Sequence, residues 1–261
     1  MAQEIPIYQV DAFASAVFAG NPAAVCPLDA WLPDAVLQAI AAENNLSETA
    51  FFVKSGRAFD LRWFTPACEV DLCGHATLAS AYVIATYLEP GCDEVRFNSR
   101  SGTLTVTRSD TWYTLDFPAL PPERASDDDA VARALGAPPR ELWTAMDLMA
   151  VFANEAEVRA LKPDMARIAA LETRGVIATA PGDSCDFVSR FFAPGAGIPE
   201  DPVTGSAHCI LTPYWAKRLG KARLTARQIS PRGGELRVED RGRRVAISGQ
   251  VAPYLEGRIR V

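Results

Sequence analysis

Two homologous α/β halves are what this sequence predicts, and three observations predict them. The first is an internal repeat. Arg62-Trp63-Phe64-Thr65-Pro66 returns as Arg190-Phe191-Phe192-Ala193-Pro194, and Gly74-His75-Ala76 returns as Gly205-Ser206-Ala207. Arg100-Ser101-Gly102-Thr103-Leu104-Thr105-Val106 then returns as Arg232-Gly233-Gly234-Glu235-Leu236-Arg237-Val238. Three blocks recurring in one order, about half a chain apart, describe a duplicated fold. The second observation is a strand signal before each glycine, as in Phe59-Asp60-Leu61-Arg62-Trp63-Phe64, where aromatic and apolar residues alternate with polar ones. The third is the run after each glycine. Residues 76–88 carry Leu78, Tyr82, Val83, Ile84, Ala85 and Tyr87 with no polar face, so a helix here belongs inside its domain, wrapped by sheet.

Each repeat therefore reads strand, loop, glycine, buried helix, strand pair. The second helix begins at Gly205 and carries Ile210, Leu211, Tyr214, Trp215 and Leu219; Pro213 inside it must kink it or remove a hydrogen bond. Strands are predicted at 94–98 and 103–107, mirrored by 224–230 and 235–239. Outside the repeat, residues 34–42 form an amphipathic helix with Pro33 at its start and Asn44-Asn45 at its end. Residues 5–10, 23–26 and 49–53 read as strands. The three prolines of 118–123 mark a stiff linker and possible hinge, which gives domains of 1–117 and 124–261, with the last strand free to pack back on the first domain. Asp127-Asp128-Asp129 reads as the solvated start of a helix. Residues 142–162 give no firm pattern, and Met146 and Met149 are expected to fill core space.

Composition bounds the function. The chain has 261 residues, 49% hydrophobic and 22% charged, with a net charge of −6. That is an ordinary globular composition, and an acidic one, so neither nucleic acid nor an anionic membrane surface is an expected partner. No apolar run approaches the roughly 20 residues of a membrane helix. The start lacks a basic and apolar leader, so a cytoplasmic protein is expected. Its six cysteines are then expected to be reduced. Only two histidines, His75 and His208, are available for imidazole chemistry.

Both repeats place a glycine at the start of a buried helix. The free N–H groups of a helix N-terminus suit a carboxylate or a developing enolate, and two such ends would meet in a cleft between the domains. The competing reading is that the glycines only permit close packing. His75 falls in the first turn, where the helix dipole disfavours its protonated form, so a neutral imidazole is expected. Asp201, followed by Pro202, reads either as a turn and site carboxylate or as a helix cap. Glu48 opens an apolar strand beside Phe51 and Phe52, where partial desolvation would raise its pKa toward the range of a general base. Cys68, Cys73 and His75 with His208-Cys209 form an irregular zinc set, whose spacing is not that of a zinc ribbon. A racemase with a thiol on each face would need a second cysteine where Thr204 stands.

Several segments together resemble the PhzF-like (phenazine biosynthesis-like) isomerases, relatives of diaminopimelate epimerase by fold. They are Asp11-Ala12-Phe13 with Phe18-Ala19-Gly20-Asn21-Pro22, Leu46-Ser47-Glu48-Thr49, Cys73-Gly74-His75-Ala76-Thr77, Asp201-Pro202-Val203-Thr204-Gly205-Ser206-Ala207-His208 and Arg232-Gly233-Gly234. The resemblance implies a diaminopimelate epimerase-like fold of two pseudo-symmetric domains. Each is a curved, mostly antiparallel sheet around a central helix, with the active site between them. It also implies proton transfer without cofactor or metal on a small carboxylate-bearing substrate, and a homodimer. Carried over by motif, Glu48 is the general acid/base, and His75, Asp201 and Ser206 are the further catalytic residues. Asn21, Ser47, Cys73, Gly74, Thr204 and Gly205 would line the substrate. Family members of unassigned function share Cys-Gly-His here, whereas the dedicated phenazine enzyme is apolar at the Cys73 position. Cys73 is therefore read as packing, or as the remnant of an epimerase base. The alternatives are an amino-acid racemase or epimerase using Cys73 and a carboxylate, and a binding protein that moves no proton.

Overall fold

A computed structural model of the chain describes residues 3–126 and 129–261. Asp127 and Asp128 of the expected acidic helix start lie outside the described residues; Asp129 opens a helix. The chain forms two compact units. One runs to Asp116 and takes back Ser248–Val261; the other is Phe117–Ile247.

In chain order the first stretch holds strands β1 (Glu4–Ala12) and β2 (Asn21–Leu28), helix α1 (Asp34–Asn44), and strands β3 (Glu48–Ser55), β4 (Ala58–Phe64) and β5 (Glu69–Val70). Helix α2 (Gly74–Val83) runs on into a π-helical turn (Ile84–Leu88), followed by β6 (Glu94–Ser99), β7 (Gly102–Ser109) and β8 (Trp112–Pro118). The second stretch holds β9 (Glu123–Arg124), α3 (Asp129–Leu135), β10 (Glu141–Thr144), β11 (Leu148–Val151), α4 (Glu155–Ala160) and α5 (Met165–Ala169). Then come β12 (Val176–Pro181), β13 (Phe187–Ala193), β14 (Ile198–Asp201), α6 (Gly205–Leu219), β15 (Arg223–Gln228), β16 (Gly234–Asp240), β17 (Arg244–Gly249) and β18 (Val251–Arg260).

The repeat seen in sequence is a repeat of strand pairing. In the first unit the order is β18, β1, β2, β3, β4, β6, β7, with pairs that run antiparallel, antiparallel, parallel, antiparallel, parallel and antiparallel. In the second unit β9, β10, β11, β12, β13, β15 and β16 repeat that succession without change. The C-terminal strand β18 thus fills in the first unit the place that β9 fills in the second. Residues 118–123 are not a free linker: the Ala119 and Leu120 amides donate to the carbonyls of Arg243 and Cys209, and Glu123 already belongs to β9.

Each sheet curls around its central helix. Helix α2 packs on β7 and on β18, which stand at opposite ends of the strand order, and a flat sheet would not allow this. Residues 75–81 of α2 are all buried, as a helix without a polar face requires. Thr77 and Ser80, the hydroxyl residues of this stretch, donate to the carbonyls of Cys73 and Ala76 one turn back. In the second unit α6 packs on β15 and β16, while Trp215 donates its indole N–H to Thr179 on β12 and Tyr214 its hydroxyl to Glu141 on β10. The outer sheet face is covered too, by α1 over Ile5, Ala24, Cys26 and Phe51 and by α3, α4 and α5 over Leu142, Ala150, Val176 and Val188. Sheets buried on both faces explain the near-continuous apolar runs of β2 and β12.

Pro213 is accommodated without breaking α6. The carbonyl that loses its helical partner is that of Cys209, and the Leu120 amide donates to it at 2.9 Å. Arg62 and Arg190, paired by the repeat, do the same work in each unit. Arg62 donates bidentately to Glu69 at 2.7 and 2.8 Å, and Arg190 to Glu200 at 2.8 and 2.9 Å, each guanidinium lying over the phenylalanine two residues on, Phe64 or Phe192. These forks tie β4 to β5 and β13 to β14, the hairpins that lead into the two central helices. Of the two methionines expected in the core, Met149 is fully buried, but Met146 is 53% exposed because it sits in the tight β10–β11 turn.

Gly20 is required by the approach of the backbone to itself. Its φ is +66°, and a Cβ there would stand 2.2 Å from the Ala12 carbonyl oxygen, just before Asn21 opens β2. Gly20→Ala is expected to cost more than about 2 kcal/mol, from left-handed strain and a displaced β1–β2 connection. Urea unfolding measures this, and an unchanged midpoint would contradict the packing described.

Candidate functional site

Helix α2 starts at Gly74, as the repeat predicts, with Cys73 as its N-cap residue in an extended conformation. Cys73 places no side-chain hydrogen bond on the helix end. Glu48 is the first residue of β3, and its backbone lies opposite Ala23 of β2, two residues along from Asn21. These two elements bring three predicted residues together. His75 Nε2 stands 3.2 Å from Glu48 Oε2, and His75 Nδ1 stands 3.4 Å from Cys73 Sγ. All three are withdrawn from solvent: Glu48 keeps 13% of its side-chain exposure and His75 6%, and Cys73 is buried. Asn21 is fully buried at the start of β2, and the backbone of its neighbour Pro22 hydrogen-bonds to His75. Ser47 is half-buried just ahead of β3.

Burial sets the state of the ring. Loss of hydration drives the His75 imidazole down to about 3, and the opposing effect of the Pro22 hydrogen bond is smaller. His75 is therefore neutral at physiological pH, as its place in the first helical turn led us to expect. A neutral ring has one donor and one acceptor nitrogen. The thiol and the carboxylate approach opposite nitrogens, so they bracket the imidazole rather than converge on one ion, although the three groups lie within 4.8 Å of one another.

The second unit builds a different arrangement on the same scaffold. Helix α6 starts at Gly205 with Thr204 as N-cap residue, again without a side-chain cap. Asp201, at the end of β14, accepts the Thr204 hydroxyl at 2.5 Å. Gln228, 1% exposed at the end of β15, accepts from the Thr204 amide at 2.9 Å. Through its own amide nitrogen it donates to the Asp201 carbonyl at 2.7 Å and to Thr204 Oγ1 at 3.2 Å. His208, one turn into α6, has Nδ1 2.8 Å from the Thr204 carbonyl oxygen, and burial lowers its pKa to about 4. Since the neutral ring can donate there, Nδ1 carries the proton. Ser206 accepts a hydrogen bond from Arg174 at 3.0 Å, and Arg174 is itself held by Asp147.

The structure thus gathers Glu48, Cys73 and His75 in one cluster and Asp201, Thr204 and Gly205 in another, with Ser206 beside the latter. Sequence reasoning missed Gln228, Arg174 and Asp147. Gln228 left a signal: in β15 the inward positions are Leu224, Ala226 and Gln228, and an amide on an inward face must be satisfied by something. Arg174 and Asp147 left none, since each is a charged residue beside a turn. Of the irregular zinc set, Cys73 and His75 lie together. Cys68 is exposed beside Thr65, while Cys209 and His208 are engaged with the carbonyls of Gly205 and Thr204.

Comparison with known proteins places the whole chain in a family. The family described as phenazine biosynthesis-like protein matches residues 10–257. An uncharacterized isomerase of Pseudomonas aeruginosa is 53% identical over 98% of this chain and 99% of its own. The crystal structure of a phenazine biosynthesis protein of the PhzF family from Enterococcus faecalis is 50% identical, with a TM-score of 0.97 over 98% of this chain and 99% of that one. A hydroxyproline epimerase from Agrobacterium vitis is only 11% identical, yet reaches a TM-score of 0.64 over 99% of this chain and 93% of its own, which shows a shared fold. No helix among the described residues is long and apolar enough to cross a membrane. With a family match over nearly its whole length and relatives that are isomerases by name, the chain belongs to the phenazine biosynthesis-like, or PhzF, family and is an isomerase of that family.

Proposed function

We propose that the enzyme moves a carbon-bound proton without a cofactor, on a small carboxylate-bearing substrate, with Glu48 as the general acid/base. The observation that carries this reading is the 3.2 Å approach of a buried, neutral His75 to the Glu48 carboxylate. A protonated imidazole there would hold Glu48 as an ion pair and weaken it as a base; a neutral one leaves the carboxylate basic. In the forward step Glu48 takes the proton, and the carbon's bonding pair passes into an enolate or its conjugated equivalent. In the return step the proton is delivered to another carbon, and the carboxylate is restored. His75, Asp201 and Ser206 orient the substrate and assist the return. Asn21, Ser47, Cys73, Thr204 and the N–H groups at Gly74 and Gly205 bind it. Donors at a helix end, acting in a water-poor site, stabilise developing negative charge by several kcal/mol.

The family resemblance supports a cytoplasmic homodimer. Light scattering on the purified protein tests the dimer, for which a mass of one 28.2 kDa chain would be the contrary result. The substrate class is tested by proton NMR in heavy water on a panel of cyclic and acyclic amino and hydroxy acids that includes a dihydro-hydroxyanthranilate. Loss of a carbon-bound proton signal marks the substrate, and a panel with no loss speaks for a substrate outside the panel or for a binding role.

The contact of Cys73 Sγ with His75 Nδ1 favours one second reading, a racemase or epimerase in which Cys73 is itself a base. Replacement separates the two. In the isomerase reading Cys73→Ala lowers the exchange rate less than about tenfold, whereas a thiol base would cost the 10²–10⁴ typical of a lost general base.

A further inference from the structure

The Ser206 hydroxyl is gripped by a cation. Arg174 donates through Nη2 to Ser206 Oγ at 3.0 Å. The same guanidinium donates to Asp147 from Nε at 2.8 Å and from Nη2 at 2.5 Å. The Asp147 side chain is wholly buried, and the guanidinium lies 5.4 Å above the Phe191 ring. The neighbouring Gly175 makes this possible, because a Cβ there would stand 2.4 Å from Phe191 Cζ. Fork, aromatic platform and buried counter-charge leave Arg174 one orientation, although 41% of its side chain reaches solvent.

A guanidinium donates and never accepts. Ser206 Oγ must therefore be the acceptor in this contact, and its single hydrogen points away from Arg174. Ser206 is the second residue of α6, where the backbone N–H groups of the first turn favour negative charge. We propose that Asp147 and Arg174 are positioning residues that make Ser206 a one-way hydrogen-bond donor to a substrate oxygen, a carboxylate or the enolate oxygen formed in the reaction. This rests on the proposed function for the place of the substrate, but not on Glu48 as the base. Arg174 withdraws charge from Oγ and so strengthens the O–H as a donor. Asp147 keeps the guanidinium from swinging onto the substrate itself.

The test is a double-mutant cycle of Arg174→Lys with Ser206→Ala, read as kcat and KM for whichever panel acid exchanges its proton. Arg174→Lys keeps a cation for Asp147 but loses the fork, and melting curves confirm that each variant folds. The expected result is a loss of at least about tenfold in kcat for Arg174→Lys in the parent, by analogy with a removed oxyanion donor. In the Ser206→Ala background the same change is expected to have an effect below about twofold. Equal losses in both backgrounds would show a structural brace and overturn the inference. Exchange that survives Glu48→Gln, with a coupled Arg174–Ser206 pair, would sink the assignment of Glu48 and leave this inference standing. Should no acid exchange, the cycle is scored on the affinity of the panel acids by calorimetry. Coupled losses then support the inference, and additive losses or no binding at all overturn it.

Discussion

Stability is expected to fall steeply as the pH drops from about 6.5 toward 4.5, before the carboxylates titrate. Burial holds His75 at about 3 and His208 at about 4, against 6.5 for a free imidazole. Above pH 6.5 both rings are neutral whether the chain is folded or not, and they add nothing to the pH dependence. Below it the unfolded chain binds two protons that the folded chain refuses, so each pH unit costs about 1.4 kcal/mol per ring. The loss levels off only near the folded pKa values. Two rings over two pH units amount to about 5 kcal/mol, comparable with the whole stability of many domains. The carboxylates whose pKa the fold depresses, Glu69 and Glu155 among them, add their own loss only at lower pH. Urea midpoints from pH 7 to 4.5 measure the slope, and His75→Gln is expected to halve it. A flat profile would contradict two buried neutral imidazoles.

The second large effect is chemical. Glu48→Gln keeps the size and shape of the side chain and removes the proton-accepting oxygen, so turnover is expected to fall by about 10²–10⁴. The fold should survive, because Glu48 stands at the first position of β3 and its backbone pairing with Ala23 does not use the carboxylate. His75 is neutral, so no buried cation is stranded. Steady-state kinetics beside a melting curve separates the two effects. A variant that loses activity only in proportion to its folded fraction would contradict the role.

Much of this was legible in the sequence, and the reason lies in the duplication. Arg62 and Arg190 could be aligned because each braces the same hairpin, and Gly74 and Gly205 because each starts the same buried helix. Repeated pairing order follows from repeated sequence. The segment 118–123, expected as a linker, is built into the second unit for an equally physical cause. Three prolines suggest a hinge, but the amides between them are drawn into hydrogen bonds with Arg243 and Cys209, which residue types alone do not reveal. Strand β9 is two residues long, and its pairing partner β10 decides its existence. The site divides likewise. Glu48, Cys73 and His75 lie near the ends of predicted elements, where their neighbours are constrained. The fork from Arg174 to Asp147 joins turns 27 residues apart, and only the packing of β11 beside β12 brings them together.

Deuterium uptake at substrate carbon, followed by proton NMR in heavy water for the parent enzyme, Glu48→Gln and Cys73→Ala side by side, tests the central claim most directly. The account predicts uptake by the parent, near-complete loss in Glu48→Gln and substantial retention in Cys73→Ala. Uptake that persists in Glu48→Gln and vanishes in Cys73→Ala would contradict it and give the proton to the thiol.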